Sequence, residues 1–175
     1  MRKALWLIGA ALLAAVGTSS AALAAVNVKA LPTASFSEAS VTVTGGEFSG
    51  LGSTEAIAHL TVTGVATYQC ENPTGKVVPG QNPIEATPGV SPGVGLGNST
   101  HNGRGTITSI TAEVKPPKKE PTAKEVACGG AGNTKWKVTL TSLKATAAHL
   151  VIEQGTTEVF CRNYTLGGPA TGAAC

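Results

Sequence analysis

The stretch IAHLTVTGVATYQC, residues 57–70, decides how the chain is read. Leu60, Val62, Ala66, Tyr68 and Cys70 share one parity, while His59, Thr61, Thr63 and Thr67 fall on the other. Side chains on a strand alternate between its two faces, so this pattern predicts a strand with one face buried. The same period recurs along the chain. ASVTVTGGEF (39–48) sets Val41 and Val43 on one face, and GTITSITAEV (105–114) sets Ile110, Ala112 and Val114 together. TKWKVTLTSL (134–143) opposes Trp136, Val138 and Leu140 to Lys135, Lys137, Thr139 and Thr141. AHLVIEQGTTEVFCRNY (148–164) reads as two strands around a turn at Gln154, Gly155 and Thr156. Helical periodicity is almost missing; PTAKEVA (121–127) has room for one turn. The expected fold is therefore all-β, a two-layer Ig-like antiparallel sandwich of about seven strands.

The first residues set the compartment. Two positive charges (Arg2, Lys3) precede the uncharged run ALWLIGAALLAAVG, and TSSAALA ends with small residues at Ala22 and Ala24. That order is a cleaved secretory signal over residues 1–24. The apolar run is shorter than the roughly 20 residues of a membrane-spanning helix, so no anchor is expected after cleavage. Residues 25–38 are expected to be a flexible N-terminal segment, and residues 39–175 a single sandwich domain. Cleavage removes Arg2 and Lys3, which leaves 11 basic residues against 10 acidic ones. A nearly neutral chain has no global attraction to nucleic acid or anionic membrane.

Absent residue types exclude chemistry. The sequence has no Asp; all ten acidic residues are Glu. Asp-based calcium loops, an aspartic dyad and a Ser-His-Asp triad are excluded. Aromatic residues are 4% of the chain, too few for a stacking platform beyond the core. GVSPG (89–93) fits the G-x-S-x-G nucleophile elbow, but the residue after its Ser is Pro92. Proline lacks the N–H that the oxyanion hole of that motif requires. No cofactor is expected.

Four cysteines follow the signal: Cys70, Cys128, Cys161 and Cys175. Their spacing is too wide for a zinc site, and an even number in an oxidising compartment predicts two disulfides. The preferred pairing is Cys70 with Cys128 and Cys161 with Cys175, the second tying down the last residues. Cys70 with Cys161 is the rival. Tyr68 to Cys70 is similar to the Tyr-x-Cys of immunoglobulin domains, where it accompanies the second cysteine, after the tryptophan; here Trp136 follows it. The family's Cys-Trp-Cys core is therefore not transferred.

The layout also resembles small secreted actinomycete proteins of uncharacterised role, through the Ala-rich signal, TYQCENP, PGQNP and the W-x-V-T-L-T-S-L strand. That resemblance implies export and a sandwich, and brings no functional residue. Disulfide-bonded actinomycete sandwiches also include chromophore-binding apoproteins of the neocarzinostatin type, similar in architecture alone.

Function is expected on loops. The Pro/Gly-rich segment 71–105 is the candidate contact loop, with Pro88, Val90, Pro92, Val94 and Leu96 as its contact residues. The expected role is a non-enzymatic extracellular module that binds a protein or a small ligand. The alternative is a secreted hydrolase inhibitor that inserts this loop. An enzyme would need His101 or His149 beside a Glu.

Overall fold

The computed structural model describes residues 26–96, 103–128 and 135–175. The expected signal at 1–24 and the loop residue His101 lie outside them. The described residues form strands β1 (Asn27–Ala30), β2 (Thr33–Ser37), β3 (Ser40–Thr44), β4 (Glu47–Ser49), β5 (Ala56–Glu71), β6 (Val77–Pro79) and β7 (Ile84–Glu85). They continue with β8 (Gly89–Val90), β9 (Val94–Gly95), β10 (Arg104–Thr106), β11 (Ser109–Glu113), β12 (Lys137–Gln154), β13 (Thr157–Thr165) and β14 (Ala173–Ala174). No helix occurs among them. All pairings are antiparallel, in sheets ordered β1-β4-β10, β11-β3-β2 and β14-β13-β12-β5, with β6 to β9 together along the far edge of β5.

The opening stretch is the centre of the largest sheet. Every even-numbered residue from Ala56 to Cys70 is buried, without a break in parity. Its neighbour β12 does break parity, twice. Leu140 pairs with Tyr68 and Ser142 with Thr67; Ala145 pairs with Gly64 and Ala147 with Thr63. Thr141 and Thr146 are therefore the extra residues of two β-bulges. The inward side follows this slip, from Val138 to Leu143 and Ala145, then to Ala148, Leu150 and Ile152. Hydroxyls pin the first bulge from the other face, with Thr67 Oγ1 2.7 Å from Ser142 Oγ and 3.1 Å from Thr141 Oγ1. The β12–β13 hairpin turns at Gly155 (φ 64°) and Thr156, where Gln154 faces Thr157. A positive φ at that turn suits glycine.

Two hydrophobic clusters cover the inner face of β5. The larger joins Leu60, Val62, Leu150 and Ile152 of the large sheet to Val41, Val43, Ile110 and Val114 around the β2-β3-β11 sheet. The two sheets thus face each other across a common core, as in a sandwich. The smaller cluster packs Ala66, Tyr68 and Cys70 against Ala123, Val126 and Cys128. These last residues belong to one turn at 121–128 that the Cys70–Cys128 disulfide holds in place. Cys161 bonds to Cys175, so both preferred pairings form.

That turn carries its own cap. The Glu125 carboxylate accepts the Thr122 N–H at 2.6 Å and its hydroxyl at 2.9 Å, and Thr122 Oγ1 accepts the Glu125 N–H at 3.3 Å. This is a capping box. The Thr122 N–H, then its hydroxyl, and after them Lys119, hold the Glu125 carboxyl below its ordinary range. A carboxyl lowered on folding adds stability above its unfolded-state pKa, and that stability is lost as pH falls through the lower folded-state value. Thr122→Val is expected to move the Glu125 titration upward in carboxyl NMR. An unmoved titration would mean that the box does not form in solution.

Two expectations are corrected. Within the supposed flexible segment 25–38, the described residues 26–38 instead include β1 and β2, because Val28, Ala34 and Phe36 alternate onto the core and Pro32 is buried beside Tyr164. The strand number is fourteen among the described residues rather than about seven. Most of the excess comes from the Pro/Gly-rich segment, which runs back along β5 as four short strands. Between the pairs Val77–Glu71 and Gly95–Ile57 this chain advances 18 residues while β5 advances 14. Prolines and bulged residues break it into pieces, as a sheet edge tolerates and a central strand does not.

Candidate functional site

The segment expected to be a free contact loop is fastened to the scaffold. Ser91 donates its N–H to Leu60 O at 2.9 Å, and its Oγ accepts the Leu60 N–H at 3.0 Å. Leu96 donates to Ala56 O at 2.8 Å. Thr87 and Lys115 exchange two backbone hydrogen bonds of 2.9 Å, which ties the edge of the large sheet to the chain leaving β11. Of the five expected contact residues, Pro88, Val90 and Pro92 are exposed, Val94 is half-buried and Leu96 is buried. Deleting 88–97 would thus remove buried, paired residues. Ser91, the serine of the G-x-S-x-G match, is spent on the β5 ladder.

The structure instead brings together residues that the sequence left apart. A groove of about 680 Å³ opens between the β2–β3 turn and the bulged middle of β12. Phe36, Leu140, Leu143 and Leu166 supply its apolar lining, and Glu38 and Lys144 its charges. Leu140 occupies an inward register position opposite buried Tyr68, yet it is 36% exposed. Leu166 is 43% exposed. Leu140 belongs to neither buried cluster, whereas Leu143 packs against both. The groove therefore lies where the cover over β12 is incomplete.

Backbone bonds fix its walls. The Ala145 N–H donates to Glu38 O at 2.6 Å, and the Leu166 N–H donates to Thr146 O at 2.9 Å. Glu38 is held at φ 36°, a left-handed conformation uncommon for a residue with a side chain. Such strain persists where surrounding contacts impose it; here the Ala145 bond anchors the turn to the edge of the second bulge. Tyr164, buried in the larger cluster, places its hydroxyl 3.4 Å from Pro32 O. Burial pushes the Tyr164 phenol up to about 12, against a smaller opposing effect of Arg162.

The histidines are placed elsewhere. His59 Nε2 lies 4.0 Å from Glu153 Oε2 on the outer face of the large sheet. His149 Nδ1 lies 2.7 Å from Asn163 Oδ1, so its hydrogen-bond partner is an amide rather than a glutamate. Among the described residues, no three His, Cys or Glu side chains come close enough together to hold a metal ion. One sequence signal marks the groove in retrospect: Leu140 to Leu143 is a step of three in a strand of period two, the imprint of a bulge. Comparison with known proteins finds no matching family model, no matching curated protein and no matching solved structure.

Proposed function

We propose that the protein is a secreted, non-enzymatic binding module on an Ig-like sandwich, and that its contact surface is the groove between the β2–β3 turn and β12. The observation that carries this is the pair of exposed leucines, Leu140 and Leu166, meeting Phe36 in one rigid-walled groove. Exposed apolar side chains converging in one depression mark interaction sites more often than scattered ones do. Fixed walls lose little entropy on binding. The occupant is an apolar side chain or segment of an extracellular partner, flanked by Glu38 and Lys144. Two disulfides support an oxidising location, and removal of residues 1–24 during export is part of the same proposal.

The test uses the disulfide-bonded protein as bait in the producing cell's own culture medium. Leu140→Glu with Leu166→Glu is expected to weaken capture at least about tenfold, the scale of losing a buried anchor, while thermal stability is kept. Val90→Glu, on the β8 edge beyond β5, is expected to leave capture unchanged. If Val90→Glu abolished capture and the leucine variant did not, the Pro/Gly-rich edge would be the contact surface, as an inhibitor would use it. N-terminal sequencing of the secreted material should begin at Ala25.

A further inference from the structure

The outer face of the large sheet carries a chemical grouping that the groove does not use. β13 sets Asn163 opposite His149 and Cys161 opposite Val151. Cys161 is bonded to Cys175, and Cys175 Sγ lies 3.8 Å from the same His149 Nδ1 that meets Asn163 Oδ1. An amide oxygen only accepts hydrogen bonds, so Nδ1 carries the proton in that pair. One N–H thus sits beside both an amide oxygen and a disulfide sulfur. Solvent reaches this bond: Cys175 is exposed and Cys161 half-buried. Cys70 and Cys128, in contrast, are 0% and 5% exposed.

Thiol–disulfide exchange needs access to the attacked sulfur and a leaving thiol whose anion is stabilised. Both are present at the first bond and access is denied at the second. We propose that Cys161–Cys175 is a thiol-exchange site for a low-molecular-weight thiol, with His149 positioned to assist the departure of Cys175. The thiolate of the small thiol attacks Cys161 Sγ, a new S–S bond forms, and the Cys161–Cys175 bond breaks. The electron pair leaves on Cys175 Sγ, where the His149 Nδ1–H hydrogen-bonds the thiolate in place of Asn163. Solvent later supplies the proton. The small thiol is oxidised into the mixed disulfide and Cys175 is reduced. Cys70–Cys128 remains closed as scaffold.

Incubation of the folded protein with glutathione, trapping with iodoacetamide and peptide mass mapping tests this. The expected products are glutathione on Cys161, an alkylated Cys175 and an intact Cys70–Cys128 bond. His149→Gln is expected to slow opening roughly fivefold, the rate equivalent of one hydrogen bond, with an unchanged Tm. Asn163→Ala removes the competing acceptor and should keep or raise the rate; a fall matching that of His149→Gln would overturn the role given to His149. Equal opening of the two disulfides, glutathione on Cys175, or an unchanged rate in His149→Gln would overturn the proposal.

Discussion

Gly89→Val is expected to lower stability by about 3 kcal/mol or more, the range of severe overpacking. A Cβ at this position would fall 1.8 Å from Glu113 O and 2.4 Å from the Glu113 carbonyl carbon. Both are backbone atoms of β11, so no side chain can swing aside. On its other flank Gly89 pairs with Val62 at the centre of β5. The short strand therefore pairs with β5 on one flank and abuts the β11 backbone on the other, and relief would require separating the two sheets. Against a net stability of roughly 5–15 kcal/mol, that loss is a large share of the margin. Thermal unfolding by circular dichroism should show a fall on the order of 10 °C for a chain of this size. Val90→Ala, one residue further on and 66% exposed in the wild type, should change little. An unaltered melting curve for Gly89→Val would mean that β8 does not seat on β11, and the joining of the sheets along this edge would fall with it.

Replacing Cys70 and Cys128 together by alanine should destabilise the protein by about 4 kcal/mol, the loop-closure entropy of this separation. The bridge spans 58 residues, against 14 for Cys161–Cys175, whose removal should lose about 3 kcal/mol on the same basis. Geometry widens the difference. Cys70–Cys128 holds the 121–128 turn over Ala66 and Tyr68, and Val126 O accepts the Gln81 N–H at 2.9 Å, which links that turn to the sheet edge. Losing the bridge therefore loosens a hydrophobic cluster as well as a loop. Denaturant titration of the two double variants measures the order. A larger loss from the Cys161–Cys175 pair would contradict the assignment of Cys70–Cys128 as the principal staple.

The all-β class, the inward face of β5, the β12–β13 turn and the cysteine pairing were legible in residues 57–70 and their repeats. Each is a local pattern or follows from few possibilities: alternation requires only a neighbouring core, Gly155 only a tight turn, and four cysteines only a choice among pairings. Residues 33–37 (TASFS) hold an equally local alternation, Ala34 and Phe36, but it is too short and too rich in serine and threonine to stand out from a flexible segment.

The groove and the fate of residues 71–105 were not legible, because both depend on partners distant in sequence. Prolines and glycines in that segment forbid a regular strand, yet they leave open whether its remaining N–H groups face water or β5. The Leu60 and Ala56 carbonyls decide for β5 at Ser91 and Leu96. Leu140 follows the same logic: alternation along β12 assigns it inward, whereas its exposure is set by where the 121–128 turn and the β2–β3 turn stop covering the sheet. Period, turn chemistry and sulfur count are properties of a chain segment. Bulge positions, sheet edges and gaps in a core's cover arise only when segments meet, so in this protein the scaffold was written in the residues and the candidate site came from their assembly.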